Sequence, residues 1–317
     1  MKRKPVIAAL ALAVVIALAA MPGLAALDDA YPPPLPDTST QSVEVVDRNG
    51  DLLRAFAAAD GRWRLPVRLD KVDPEFVRML VAYEDRRFWG HGGVDPLAMV
   101  RAAWQVLRHG RIVSGGSTIT MQLAQLLEPR SERSLRAKLR QMARALQIER
   151  RLDKRQILEL YLTHAPYGGN IEGVRAASLA WFGKEPRSLN LAQGALLVAL
   201  PQSPERRRPD RYRERAKAAR DQVLARMAEG GFIASGEMVR ASAVPVQSRR
   251  LALPAFAPHL ARQARRLRPE AHSHQLTLSR PVQQALELVA SESAQRLGPG
   301  LSVAMMLADA DTGEVLA

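Results

Sequence analysis

The stretch YEDRRFWGHGGVD, Tyr83 to Asp95, gathers the residue types best suited to proton chemistry in this sequence. Glu84 closes an apolar helical face, so its side chain is expected to be partly desolvated. Burial disfavours the charged form of a carboxyl and brings it toward the range useful to a general acid or base. Asp85, Arg86 and Arg87 can tune such a group by charge, and Phe88 and Trp89 can wall a pocket. Gly90, Gly92 and Gly93 allow a tight turn around His91, and Asp95 is placed to cap the next helix. The same letters also describe a helix end carrying salt-bridged surface charges, and composition alone does not separate the two.

Two further segments offer binding rather than proton transfer. SGGSTITMQ, Ser114–Gln122, sets glycines and hydroxyls at a helix start, where backbone N–H groups attract anions. It is not a phosphate loop, since no Gly-Lys-[Ser/Thr] follows, and an ordinary capped turn would read the same way. Downstream, Arg133, Arg136, Lys138, Arg140, Gln141 and Arg144 lie along one helical stretch. Such a field suits a diphosphate, although a solvated cationic face has the same composition. The six histidines show no H-E-x-x-H spacing, and His91 by itself reads as structural. The absence of cysteine excludes a thiolate nucleophile and a cysteine-based zinc site. No serine has a lysine three residues on, so a hydrolase of the S-x-x-K type is absent too.

These residues need a framework, and periodicity supplies one that is mainly helical. A hairpin is expected around the Asn49-Gly50 turn in SVEVVDRNGDLLRAFA, with a short third strand in GRWRLPVRL. Asp73-Pro74 and Asp95-Pro96 each start a helix, the second stopping at Gly110. Further helices are predicted in GSTITMQLAQLL, in the long basic SERSLRAKLRQMARALQIERRL, and in DKRQILELYLTHAP with its Asp153 cap. NLAQGALLVALP reads as a buried helix and RYRERAKAARDQVLARMAEGG as a surface helix with interleaved charges. An Arg-rich connector follows about Pro245, with a helix near SRPVQQALELVASESAQRL. The final GLSVAMMLADADTGEVLA reads as a hairpin cut at its second strand, implying a further domain.

The chain of 317 residues carries a net charge of +14, which suits anionic partners. Aromatics make up only 5%, little material for base stacking, so nucleic acid is not expected. Residues 1–27 begin with Lys2, Arg3 and Lys4 and then turn apolar, long enough to span a bilayer. They read as a membrane anchor, with a cleaved signal as the alternative; either places the body outside the cytoplasmic membrane. Residues 28–42 form a Pro-rich linker, 43–245 the main domain, 246–300 a connector and 301–317 the start of another domain.

Taken in order, these segments resemble glycosyltransferase family 51, the peptidoglycan glycosyltransferases of class A penicillin-binding proteins, over about residues 43–227. E-D-x-x-F-x-x-H-x-G-x-D is met by Glu84, Asp85, Phe88, His91, Gly93 and Asp95. G-x-S-T-I-T-x-Q runs from Gly115 through Ser117, Thr118, Ile119 and Thr120 to Gln122, and K-x-x-I-L-E-x-Y-L from Lys154 to Leu162. Departures occur as well. Gln141 stands where the family has its second glutamate, and Gln125, Thr163 and Gln193 also differ. THAPYGGN and LPQSPERRRPDR look like the 1C-type subgroup.

The resemblance implies a lysozyme-like fold with a membrane-dipping part. It also implies polymerisation of lipid II into β-1,4 glycan with inversion and release of undecaprenyl diphosphate. Glu84 would be the general base. Arg133 and Lys138 would stabilise the leaving diphosphate, helped or not by a Mg or Mn ion. Asp85, Phe88, His91, Ser117, Thr118, Gln122 and Gln141 complete the implied substrate-binding set. The implied setting is the periplasmic side of the inner membrane, held by a single span, with other cell-wall synthesis proteins as candidate partners. The transpeptidase serine would lie beyond Ala317. A lytic muramidase-like enzyme and a catalytically weak scaffold are the alternatives, the latter kept open by Gln141.

Overall fold

The computed structural model describes residues 30–36, 40–109, 116–129 and 134–317. The expected anchor, part of the Pro-rich linker, Gly110 and Arg133 lie outside them. Strands β1 (Val43–Val46) and β2 (Leu52–Phe56) form the expected antiparallel hairpin. Asp47 shapes its turn by accepting hydrogen bonds from Asn49 N and Asp51 N at 2.8 and 2.9 Å, with Gly50 at φ +83°. The third strand, β3 (Trp63–Arg64), leaves this hairpin and pairs in parallel with β4 (Ile171–Glu172).

Helix α1 (Pro74–Glu84) starts at Asp73, whose carboxylate accepts from Phe76 N at 2.9 Å. Helix α2 (Pro96–His109) starts the same way, Asp95 accepting from Leu97 N and Ala98 N at 3.0 and 3.1 Å. Then come α3 (Ile119–Leu127), the basic α4 (Leu135–Arg151) and α5 (Lys154–His164). Asp153 and Gln156 close a reciprocal cap at the start of α5, satisfying two otherwise orphaned N–H groups. Helix α6 (Val174–Phe182) was not foreseen, because its apolar letters VRAASLAWF lack a polar side to mark the period. It is buried nearly all round.

Helix α7 (Leu191–Ala199) packs between α1 and α8 (Arg213–Glu229) as an apolar rod. Full burial of leucines such as Leu196 and Leu197 contributes roughly 1.5–3 kcal/mol each. The charge-rich α8 is the expected surface helix, with one side packed inward. Ala216, Ala219, Val223, Leu224 and Met227 line a buried side of it, and Arg220 is 1% exposed. That guanidinium survives burial because it donates to Ser242 O and Asp221 at 2.8–2.9 Å and also to Val244 O. These carbonyls end α9 (Ser235–Ala243), so Arg220 ties the two helices together.

The region after Val246 does not stand apart. Helix α10 (Pro258–Leu267) precedes β5 (Ser273–Gln275), which joins β1 in parallel to give the order β2-β1-β5. Helix α11 (Arg280–Leu297) follows with no buried residue. The closing hairpin turn, expected without a visible partner, docks on this region. Leu316 O accepts from Ser279 N at 2.8 Å, and Glu314 pairs with Arg48. Among the described residues no helix is long and apolar enough to cross a membrane.

Gly173, at φ +82° before α6, sits where an added Cβ would lie 2.6 Å from Thr163 O. Gly231 has a similar φ of +72° but open space around it. Gly173→Ala is expected to cost about 3 kcal/mol or more and Gly231→Ala about 1 kcal/mol, read from chemical denaturation midpoints. Equal losses would show that backbone angle alone, and not the contact with α5, makes Gly173 necessary.

Candidate active site

Helix α1 ends with two acids that part company. Consecutive helical residues point roughly 100° apart, so one can turn inward and the next outward. Asp85 turns inward and is 7% exposed. Its carboxylate accepts from Ile119 N at 3.0 Å, at the start of α3, and meets His91 Nε2 at 3.0 Å. A helix N-terminus favours negative charge, so this contact complements both partners. Gly93 N donates to His91 Nδ1 at 3.2 Å, which leaves the ring proton on Nε2, facing Asp85.

The loop between α1 and α2 is clamped against α3 and α4. Thr118 Oγ1 donates to Gly93 O at 2.5 Å and accepts from Met121 N at 3.1 Å, capping α3. A Cβ on Gly93 would sit 2.8 Å from Ala145 O of α4, so only glycine fits at this φ of +91°. Phe88 is fully buried, with Lys154 Nζ 4.5 Å from its ring centroid. Sequence motifs group Asp85, Phe88, His91 and Thr118 with the substrate contacts. In the structure Asp85, His91 and Thr118 hydrogen-bond within the framework and the Phe88 ring is buried, while Asp85 and Thr118 also line the adjoining cleft.

Glu84 turns the other way, into a cleft of about 740 Å³. It is half-buried, and each carboxylate oxygen accepts from one amide. Gln122 Nε2 donates to Oε2 and Gln202 Nε2 to Oε1, both at 2.9 Å. Tyr161 Oη donates to Gln122 Oε1 at 3.3 Å. Burial, and then the charge of Glu84, pushes the Tyr161 phenol well above its usual range, so it remains a neutral donor. Gln202 was missed as a site residue. It sits in a short turn after α7, far from Glu84 in sequence, and no local pattern marks it.

Ser117 also lines the cleft and accepts from Lys138 Nζ at 2.6 Å. Lys138 donates as well to Gln141 Oε1 at 3.0 Å, and Gln141 Nε2 donates to Met121 O at 2.6 Å. Thus Gln141 fixes the lysine to the residue next to Gln122. Arg86, Arg87, Arg101 and Arg226 complete a cationic lining. Arg86 stacks over Phe232 at 5.4 Å and Arg226 over Tyr83 at 4.9 Å. Of the site residues named from sequence, Glu84, Asp85, Ser117, Thr118 and Gln122 line this cleft; Lys138 and Gln141 stand behind Ser117. Arg133 lies outside the described residues.

The donor set does not fit a metal held by the chain. Besides Glu84 and the exposed Glu229, the acids lining the cleft are Asp85 and Asp95. Asp85 is taken by His91 and Ile119 N, and Asp95 by Arg87 at 3.1 Å and the α2 cap. Among the described residues no group of three or more His, Cys, Asp or Glu could hold an ion.

Residues 49–228 match the family model described as Transglycosylase, and the chain belongs to that family. It is 43% identical over 301 residues to penicillin-binding protein 1C of Escherichia coli strain K12, covering 93% of this chain and 38% of that one. It is 44% identical over 196 residues to penicillin-binding protein 1A of Aquifex aeolicus strain VF5, covering 62% of this chain and 27% of that one. The crystal structure of penicillin-binding protein 1A from Haemophilus influenzae aligns at TM-score 0.37 and 20% identity, over 72% of this chain and 24% of that one. The chain therefore spans less than two-fifths of the length of each.

Desolvation lowers the Lys138 pKa below its ordinary 10.5. Between the lowered value and 10.5 the unfolded chain binds the proton better than the folded one, so stability rises with pH through that window. Below the window the cost is fully present. Lys138→Met is accordingly expected to keep or raise the melting temperature at neutral pH. A lower melting temperature, measured by calorimetry, would assign Lys138 a role in holding the fold.

Proposed function

We propose that this chain is a peptidoglycan glycosyltransferase that joins lipid II units into a β-1,4 glycan strand. The observation that carries the reading is Glu84. It is a half-buried carboxylate on a cationic cleft, oriented by one amide on each oxygen. A carboxylate has about four lone-pair sites, and two amide donors leave the others for a sugar hydroxyl. Membership of the transglycosylase family supports the reaction type.

In this reading Glu84 takes the proton from the acceptor sugar's 4-hydroxyl. The oxygen attacks the anomeric carbon of the donor from the face opposite the leaving group, which inverts that centre. The C–O bond to the diphosphate breaks, and its electron pair leaves on the lipid diphosphate. Lys138, presented through Ser117, meets that growing charge, and Arg133 is assigned the same task. Gln141 would then serve as the amide that aims Lys138, with no need for charge at its position. No step is routed through a metal. We assign the lysozyme-like fold, the membrane anchor of residues 1–27 and an extracytoplasmic location to the same proposal. The basic and then apolar N-terminus supports the anchor and the location, and the mainly helical build is in keeping with the fold.

Glu84→Gln keeps the shape but cannot accept the proton, and its NH₂ group can no longer accept from one of the two clamping amides. Polymer formation from labelled lipid II should fall by about 10²-fold or more, whereas Gln141→Glu should retain it. Wild-type polymer yield from Glu84→Gln would remove Glu84 as the base.

A further inference from the structure

The clamp on Glu84 has two unequal halves. Gln122 belongs to α3 and is steadied by the buried Tyr161, so its amide has no room to wander. Gln202 is exposed and follows the end of α7 in a single turn. A long, exposed amide held by one bond would sample several rotamers and give Glu84 little orientation. The structure supplies a second tether. Arg207 NH1 donates to Gln202 Oε1 at 3.2 Å and to Ala199 O, at the end of α7, at 2.6 Å. A cation is favoured at a helix C-terminus, so Arg207 has an anchor of its own there. Its other hydrogen bond fixes which side of the Gln202 amide is oxygen and which is nitrogen. The NH₂ group then has to face Glu84.

We infer that Gln202 and Arg207 are positioning residues for the general base, acting in series: Arg207 orients Gln202, and Gln202 holds Glu84 Oε1 toward the acceptor sugar. The inference rests on Glu84 being the base. It assigns a role to the segment LPQSPERRR, whose arginines would otherwise read only as surface charge. Arg207 contributes through geometry, since its contacts are to Gln202 and to a main-chain carbonyl.

A series arrangement differs from two independent contacts in a measurable way. Gln202→Met preserves length and removes the donor. It should lower kcat roughly tenfold to a hundredfold while KM changes by about twofold or less, as expected for loss of one hydrogen bond to a charged group. Gln202→His, assayed above pH 7.5 where a free imidazole is neutral, restores an N–H donor of similar reach and should recover part of that loss. Arg207→Met should give a smaller fall in kcat. The double variant should be no slower than Gln202→Met alone, because the second tether has nothing left to orient. Melting temperatures of all four, read beside kcat and KM with labelled lipid II, separate positioning from damage to the end of α7. The inference is overturned if Gln202→Met turns over at the wild-type rate while Glu84→Gln is inactive. It is overturned equally if the losses of Gln202→Met and Arg207→Met multiply in the double variant, or if Gln202→His is as slow as Gln202→Met. An active Glu84→Gln would remove the base assignment itself, a result distinct from all of these.

Discussion

The contact between the buried Asp85 carboxylate and the first turn of α3 sets the rest of the site. Asp85 is desolvated, so it needs partners, and it finds Ile119 N and the His91 imidazole. Those bonds fix the end of α1 against the start of α3 and fold the intervening glycine-rich loop over both. Once Asp85 points inward, its neighbour Glu84 has to point outward into the cleft. Gln122, one turn into α3, is delivered to Glu84 by the same docking. One acid is thereby given to architecture and the other left for chemistry.

The second consequence concerns charge. Cations lining a cleft favour an anion there, yet each cation held beside a packed helix costs desolvation energy. The fold divides that burden. Lys138 is half-buried and carries a lowered pKa, held, among the described residues, by one hydroxyl and one amide and by no carboxylate. Its charge therefore remains available to the cleft. The arginines on the other walls lean on Phe232 and Tyr83, or, for Arg87, on Asp95, and stay partly solvated. Gln141 fits this division, since its amide oxygen orients Lys138 by a hydrogen bond.

Much of this was legible in the sequence because local chemistry decides it. Asp73, Asp95 and Asp153 announce three helix starts, and Asn49-Gly50 announces the hairpin; the caps and turn bonds are where those residues require them. Glu84 was legible through its place at the end of an apolar face. What escaped depends on contacts distant in sequence. The motif letters do not reveal that Phe88, His91 and Thr118 are buried; only the packed structure does. Helix α8 disguises its buried side, because alanines and one internally paired arginine occupy it. Strand β5 and Gln202 find their partners across 229 and 118 residues, and no local period signals either.

The reaction product tests the role of Glu84 most directly. The protein should be incubated with labelled lipid II and, in parallel, with preformed glycan strands, and the linkages of the products read by NMR. The account predicts β-1,4-linked polymer from lipid II with release of lipid diphosphate, and no shortening of the preformed strands. Cleavage of the strands without polymer from lipid II would contradict it and make Glu84 the acid of a glycan-cleaving enzyme.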